Sequence, residues 1–149
     1  MHFTFIESTV ENIQDLKISK DQNDNLSTSH TGSSIANAYF TSGDLVFNYN
    51  KDDGKIISFD GYLPYFDTLM INNALTLPTK STTAQLFVAD LNGAPIFSIE
   101  KLPLELSSNQ KILHFGKGKS SQILKLSNGA YIGLTNNDTI GDVYLQLES

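Results

Sequence analysis

The sequence has no cysteine, no arginine, and no apolar run approaching the roughly 18 residues that a membrane-spanning helix needs. The first absence excludes a disulfide framework, a thiolate metal site and a cysteine nucleophile. The second removes the side chain that reads guanine edges and grips phosphate bidentately, because all ten basic residues are lysine. A net charge of −6 also repels a phosphate backbone, so no specific nucleic-acid partner is expected. The opening segment, Met-His-Phe-Thr-Phe-Ile-Glu, has neither a basic region nor a long apolar run. The expectation is a cytoplasmic chain with no membrane association.

Signatures of chemistry are incomplete where they occur. Gly118-Lys119-Ser120 resembles the end of a phosphate-binding loop, but Leu113 stands where glycine is required, and Ser121 to Leu126 has a strand pattern instead of a helical one. Asp21, Asn23 and Asn25 have the first ligand spacings of a calcium loop, yet Leu26 and Gly32 replace its glycine and its glutamate. His2, His30 and His114 occur singly, without the paired spacing of a metal site. His114 alternates with Leu113 and Phe115, which turns it away from their face. No serine sits in a Gly-x-Ser-x-Gly elbow. Asp60 and Asp67 flank an aromatic run and form the acid pair to test for acid–base work, although plain exposure is the simpler role for both. No catalytic residue, metal or cofactor is expected.

What the sequence does contain is strand and turn chemistry. At 149 residues and 40% hydrophobic content, one domain spanning 1–149 can bury about two-thirds of its unfolded surface. Asp52-Asp53-Gly54 predicts a three-residue hairpin loop that pairs Phe47 with Phe59, Tyr49 with Ile57, Leu45 with Gly61, Asn48 with Ser58 and Val46 with Asp60. Asn92-Gly93 predicts a second hairpin, with Val88 facing Phe97 and Leu86 facing Ile99. Ser127-Asn128-Gly129 predicts a third, for which two registers fit. Val143, Leu145 and Leu147 alternate with Tyr144 and Gln146 in a closing strand. The fold class is all-β, an antiparallel sandwich or barrel of roughly eight to ten strands. Ser8 and Glu11 match a capping box, so a short helix over 9–19 competes with a strand through Leu16 and Ile18. The polar stretch 20–34 is expected to be a mobile loop, and Tyr62 to Leu77 fits a helical turn and strands equally.

Two patterns bear on function. Eight of the fifteen aromatic residues lie between Tyr39 and Phe66, interleaved with Asp44, Asp52, Asp53 and Asp60 and followed by Asp67. Tyr39, Asp44, Asp60, Tyr62, Tyr65 and Asp67 are the candidate protein-binding residues, because tyrosine supplies contact area and a polar tip at low entropic cost. Separately, Leu106 to Asn137 holds four lysines and no acid, which marks either an anion contact or a solvated loop. The leading expectation is a non-catalytic inhibitor or immunity protein that occludes a basic toxin or nuclease. A carbohydrate-binding or virion-type sandwich is the alternative, and a barrel around a small apolar ligand is the third.

Overall fold

Alternation of apolar and polar side chains builds the longest strands. In Leu45–Tyr49 the odd residues are buried and Val46 and Asn48 are half-exposed, and Thr82–Val88 buries Ala84, Leu86 and Val88 in the same way. The computed structural model describes residues 2–9, 14–30, 35–89 and 97–148. Its fourteen strands among those residues form one continuous sheet. They are β1 (Phe3–Glu7), β2 (Leu16–Lys20), β3 (Asn25–His30), β4 (Ala38–Ser42), β5 (Leu45–Tyr49), β6 (Ile56–Tyr62), β7 (Met70–Asn72), β8 (Thr82–Val88), β9 (Phe97–Ser98), β10 (Leu104–Ser107), β11 (Ile112–Gly116), β12 (Gln122–Ser127), β13 (Ala130–Leu134) and β14 (Ile140–Glu148). Among the described residues a 3-10 turn covers Phe66–Thr68.

The main path runs β1-β8-β12-β13-β14-β2-β3-β6-β5-β4-β9, with β11, β10 and β7 branching from β14. β14 is therefore the seam: β13 and β11 flank it, and its last residues, Leu147 and Glu148, pair in parallel with Ile18 and Ser19 of β2. The sheet curls on itself, since Phe3 of β1 and Phe40 of β4 come from near opposite ends of the path yet their rings lie 5.5 Å apart. Phe40 stacks on Phe47 at 4.5 Å, and Phe47 meets Phe59 edge-on at 5.5 Å, which places the aromatic core inside the curl. The curl closes at one corner, where the Val88 N–H donates to the Gly54 carbonyl at 2.8 Å. Gly54 has a φ of +83°, and a Cβ there would lie 2.5 Å from the Val88 carbonyl oxygen.

The all-β class holds, and the details depart from expectation in five places. The sheet is mixed, not antiparallel, because β2–β14, β8–β12, β7–β10 and β4–β9 are parallel pairs. Strands of two to four residues such as β7, β9 and β10 are too short to show a period, which is why fourteen strands replace the expected eight to ten. The β5–β6 register is as expected from Leu45–Gly61 through Asn48–Ser58, but a bulge then pairs Tyr49 with Ile56, and the loop spans four residues, Lys51 to Gly54. Phe97 does not face Val88: it pairs with Phe40, while Val88 pairs with Phe3, and the Asn92-Gly93 turn lies outside the described residues. At Ser127-Asn128-Gly129 the register adopted pairs Ser127 with Ala130, with a bulge at Leu126.

The fifth departure is the N-terminal region. Residues 16–20 are a strand with Leu16 and Ile18 buried, so the helix over 9–19 does not extend through them; residues 10–13 lie outside the described set. Within 20–34, Asn25–His30 is not a loop but a strand paired with β2 and β6; residues 31–34 lie outside the described set. Its polarity is tolerated because Leu26 alone fills the inward site, and the Thr28 hydroxyl both donates to the Phe59 carbonyl and accepts the Phe59 N–H. Asp21, the candidate first ligand of a calcium loop, instead accepts the N–H groups of Asn23 and Asn25 at 2.8 and 2.9 Å and fixes the β2–β3 turn. Its carboxyl is held below the ordinary range, chiefly by the Asn25 N–H.

The closure contact is testable by substitution. Gly54→Ala and Gly118→Ala both place a Cβ at positive φ (+83° and +71°), but only the first meets backbone. Both are expected to cost the left-handed penalty of roughly 1–2 kcal/mol, with Gly54→Ala about 1–3 kcal/mol worse through overpacking. Urea unfolding measures both; equal losses would show that the Gly54–Val88 contact is not held.

Candidate functional site

The most organised polar cluster grows from one carboxylate, Asp142 on β14. Its cross-strand neighbours are Gly116 on β11 and Gly133 on β13. Side chains at those positions are sterically excluded: a Cβ at Gly116 would sit 2.3 Å from Asp142 Oδ1, and one at Gly133 would sit 2.3 Å from Ser120 Oγ. Into the space left by the two glycines come four donors. His114 Nε2–H and the Gly118 N–H each donate to Oδ1 at 2.7 Å, the Ser120 N–H donates to Oδ2 at 3.2 Å, and the Ser120 hydroxyl also donates to Oδ2.

His114 carries the second half of the cluster. Cross-strand pairing aligns Glu105, His114 and Tyr144 in one row, on the face opposite to Leu113 and Phe115. His114 Nδ1–H donates to Glu105 Oε1 at 2.8 Å, and Asn72 donates to both Glu105 oxygens at 3.2 Å. The ring stacks on Tyr144 with centroids 4.2 Å apart and planes 5° from parallel. With a carboxylate at each nitrogen, the ring needs both N–H donors and is an imidazolium. Only 4% of His114 is exposed. Burial pushes its pKa down, but the hydrogen bonds and charges of Asp142 and Glu105 outweigh that and raise it above 6.5. For Asp142 burial pushes upward, and the donors from His114, Ser120 and Gly118 outweigh it and lower the pKa below 3.8. Tyr144 is raised by burial and by the two carboxylates.

The chemistry of this cluster is anchoring. A serine nucleophile must give its proton to an effective base, whereas the Ser120 hydroxyl donates to Asp142, whose carboxyl is held below its ordinary range, and both nitrogens of His114 are already engaged by carboxylates. The Gly118 and Ser120 amides, which a phosphate-binding loop would offer to a ligand, hold the chain's own carboxylate. Among the described residues no group of three or more acidic or histidine side chains is placed to hold a metal ion, and no helix is long and apolar enough to cross a membrane. The alternation in sequence turns His114 away from the Leu113 and Phe115 face, and nothing in it indicates the burial between two acids that the structure shows.

The anchored loop, Lys117 to Ser120, separates two depressions. The larger is a groove of about 660 Å³ lined by Leu63, Pro64, Tyr65, Leu69, Leu102, Leu104 and Ile140, with Asp44, Glu100, Lys101, Lys117 and Lys119 also bordering it. The smaller, about 320 Å³, lies among Thr76 to Thr79, Ser120, Ile123 and Tyr144.

The six candidate binding residues fall into two groups. Tyr39, Asp60 and Tyr62 share the outer face of β4, β5 and β6, opposite to Phe40, Phe47 and Phe59. Asp60 is half-buried there and accepts from Asn48 at 2.7 Å, and among the described residues no hydrogen bond joins it to Asp67. Asp44 is exposed in the β4–β5 turn, and Tyr65 and Asp67 are exposed at the 3-10 turn. Asp44 and Tyr65 border the groove; Tyr39, Asp60, Tyr62 and Asp67 do not. No protein-family model and no curated protein matches the chain.

The cluster gives stability a defined pH window. His114, with its folded pKa raised, stabilises fully below about 6.5, and that contribution is lost as pH rises through the folded value. Asp142, with its folded pKa lowered, stabilises above about 3.8 and loses its contribution as pH falls through the folded value. Both contributions are expected to be complete between about pH 4 and 6.5. Urea unfolding across pH, with the His114 ring protons followed by NMR, checks this; a His114 midpoint below 6.5 contradicts it. Asp142→Asn, which leaves the buried imidazolium without its principal partner, is expected to cost about 3–5 kcal/mol. Glu105→Gln is expected to cost clearly less, because Glu105 is one-quarter exposed; equal losses in urea unfolding would contradict this ranking.

Proposed function

We propose that the protein is a non-catalytic binding protein that occludes a basic protein partner, as an inhibitor or immunity protein does. One observation carries this reading. Among the described residues seven large apolar side chains are exposed, and four of them, Tyr62, Tyr65, Met70 and Ile71, fall within ten consecutive residues. Tyr65 is 72% exposed and Met70 73%. Contiguous apolar patches mark interaction surfaces, whereas isolated exposed apolar residues are ordinary, and the closeness of these four in sequence supports the first.

Charge sets the class of partner. Asp67 lies inside the segment and Asp44 is tied to it, its carbonyl accepting the Tyr62 N–H at 3.3 Å. Both carboxylates are exposed on a chain of net charge −6, which favours a partner with a basic face and speeds encounter with it. Tyrosine and methionine then supply the anchoring area.

The test is cross-linking with a photoreactive residue at position 65 in the source cells, followed by purification of the captured protein and titration against the wild type. The captured protein is expected to be basic, and its affinity to fall with added salt. Tyr65→Ala is expected to weaken binding by about 2 kcal/mol, close to thirtyfold, and Asp44→Asn with Asp67→Asn to slow association. A partner whose affinity ignores both salt and these substitutions sinks the proposal.

A further inference from the structure

The groove of about 660 Å³, which Leu63, Pro64, Tyr65 and Leu69 of the 62–71 segment help to line, also has cations at its rim. Leu63, Leu69, Leu102, Leu104 and Ile140 give it an apolar floor. Lys101, Lys117 and Lys119 stand exposed around it, and the one lysine–carboxylate bridge among the described residues is Lys20–Asp24, elsewhere in the fold. Asp44 and Glu100 also border the groove, as does Asp142, whose carboxylate is engaged by His114 and the loop amides. Three exposed ammonium groups thus border the groove beside two exposed carboxylates, on a chain that is acidic as a whole. The acid-free stretch from Leu106 to Asn137 contributes two of the three.

We propose that this groove binds a small amphiphilic anion, a free carboxylate with an alkyl chain, in the manner of a fatty acid. Its volume lies within the roughly 300–1,000 Å³ of small-molecule sites, and an apolar floor with a few charged groups at one side is the usual composition of such sites. The alkyl chain lies along the leucines, and the carboxylate meets Lys117 and Lys119. Those two lysines are better placed than Lys101, since their backbone is pinned to Asp142 through Gly118 and Ser120, while the Lys101 stem is packed over Gly43. A pinned loop loses less freedom on binding. Lysine without arginine suits a single carboxylate better than a forked phosphate contact. This inference does not rest on the protein-partner reading, and it is tested through residues that reading does not use.

The experiment is calorimetric titration of the full chain with decanoate, decanol and acetate, each kept below aggregation. Decanoate is expected to bind, decanol about tenfold more weakly for want of the charged contact, and acetate not measurably. The Lys117→Gln/Lys119→Gln double variant, whose side chains are exposed and whose fold is checked by circular dichroism, is expected to lose about tenfold for decanoate and nothing for decanol. Leu102→Gln is expected to weaken both. Absence of decanoate binding at millimolar concentration, equal binding of decanol, or an unchanged double variant overturns the proposal. Binding seen only to vesicles of anionic phospholipid also overturns it and makes a membrane surface the occupant.

Discussion

A buried imidazolium between two carboxylates organises the C-terminal half of this protein. Two acids cannot both stay ionised on one covered sheet face unless a cation separates them, and His114 is that cation, with Glu105 at one nitrogen and Asp142 at the other. Once Asp142 is held as an anion, its remaining lone pairs recruit the Gly118 amide, the Ser120 amide and the Ser120 hydroxyl, and the loop between β11 and β12 is set. The loop in turn carries Lys117 and Lys119 to the rim of the groove. The glycines at 116 and 133 follow from the same constraint, since any larger residue would displace the carboxylate or the serine. Buried ion pairs contribute little net stability against an apolar replacement, so what this one supplies is a unique position for the loop.

The architecture was legible wherever one strand face is apolar and the other polar. Phe47 and Phe59 gave the β5–β6 register, and Val143, Leu145 and Leu147 gave the seam strand, because burial of one face leaves a single acceptable pairing. Legibility failed where polarity belongs to a strand rather than a loop. Asn25–His30 looks like solvent-exposed chain, yet Leu26 and the Thr28 hydroxyl satisfy its inward face and backbone pairing satisfies the rest. Phe97 and Ile99 alternate correctly, but alternation does not name the partner strand, and β4 competes successfully with β8 for Phe97.

The polar cluster was only half within reach of the sequence. Leu104 and Leu106 opposite Phe115 and Leu113 form a pattern from which the Glu105–His114 pair follows, had the β10–β11 hairpin been recognised without a glycine turn. Gln110 takes that turn at a φ of +60°, where the Ser107 hydroxyl oxygen and Asn109 Oδ1 accept the N–H of the following residue, Lys111. Asp142 was beyond reach, because it arrives on a strand that is distant in sequence and only the sheet order brings it to His114. The acidic aromatic segment divides for a similar reason. Strand alternation puts Tyr39, Asp60 and Tyr62 on the outer face, while the turns carry Asp44 and Tyr65 to the groove.

The pairing of Leu147 with Ile18 sets an order of events during synthesis. The β2–β3 hairpin is made early and can pair locally, but the edge of β2 that β14 will cover stays open until nearly all the described chain has emerged. Throughout that interval Leu16 and Ile18, almost fully buried in the finished fold, have only part of their apolar surroundings. A nascent chain of this topology carries an unpaired, partly apolar edge for most of the interval in which the described residues emerge, the feature that draws chaperones or a second chain to an incomplete sheet. The strand that joins the two halves of the sheet is thus also the one whose arrival ends the period of greatest exposure.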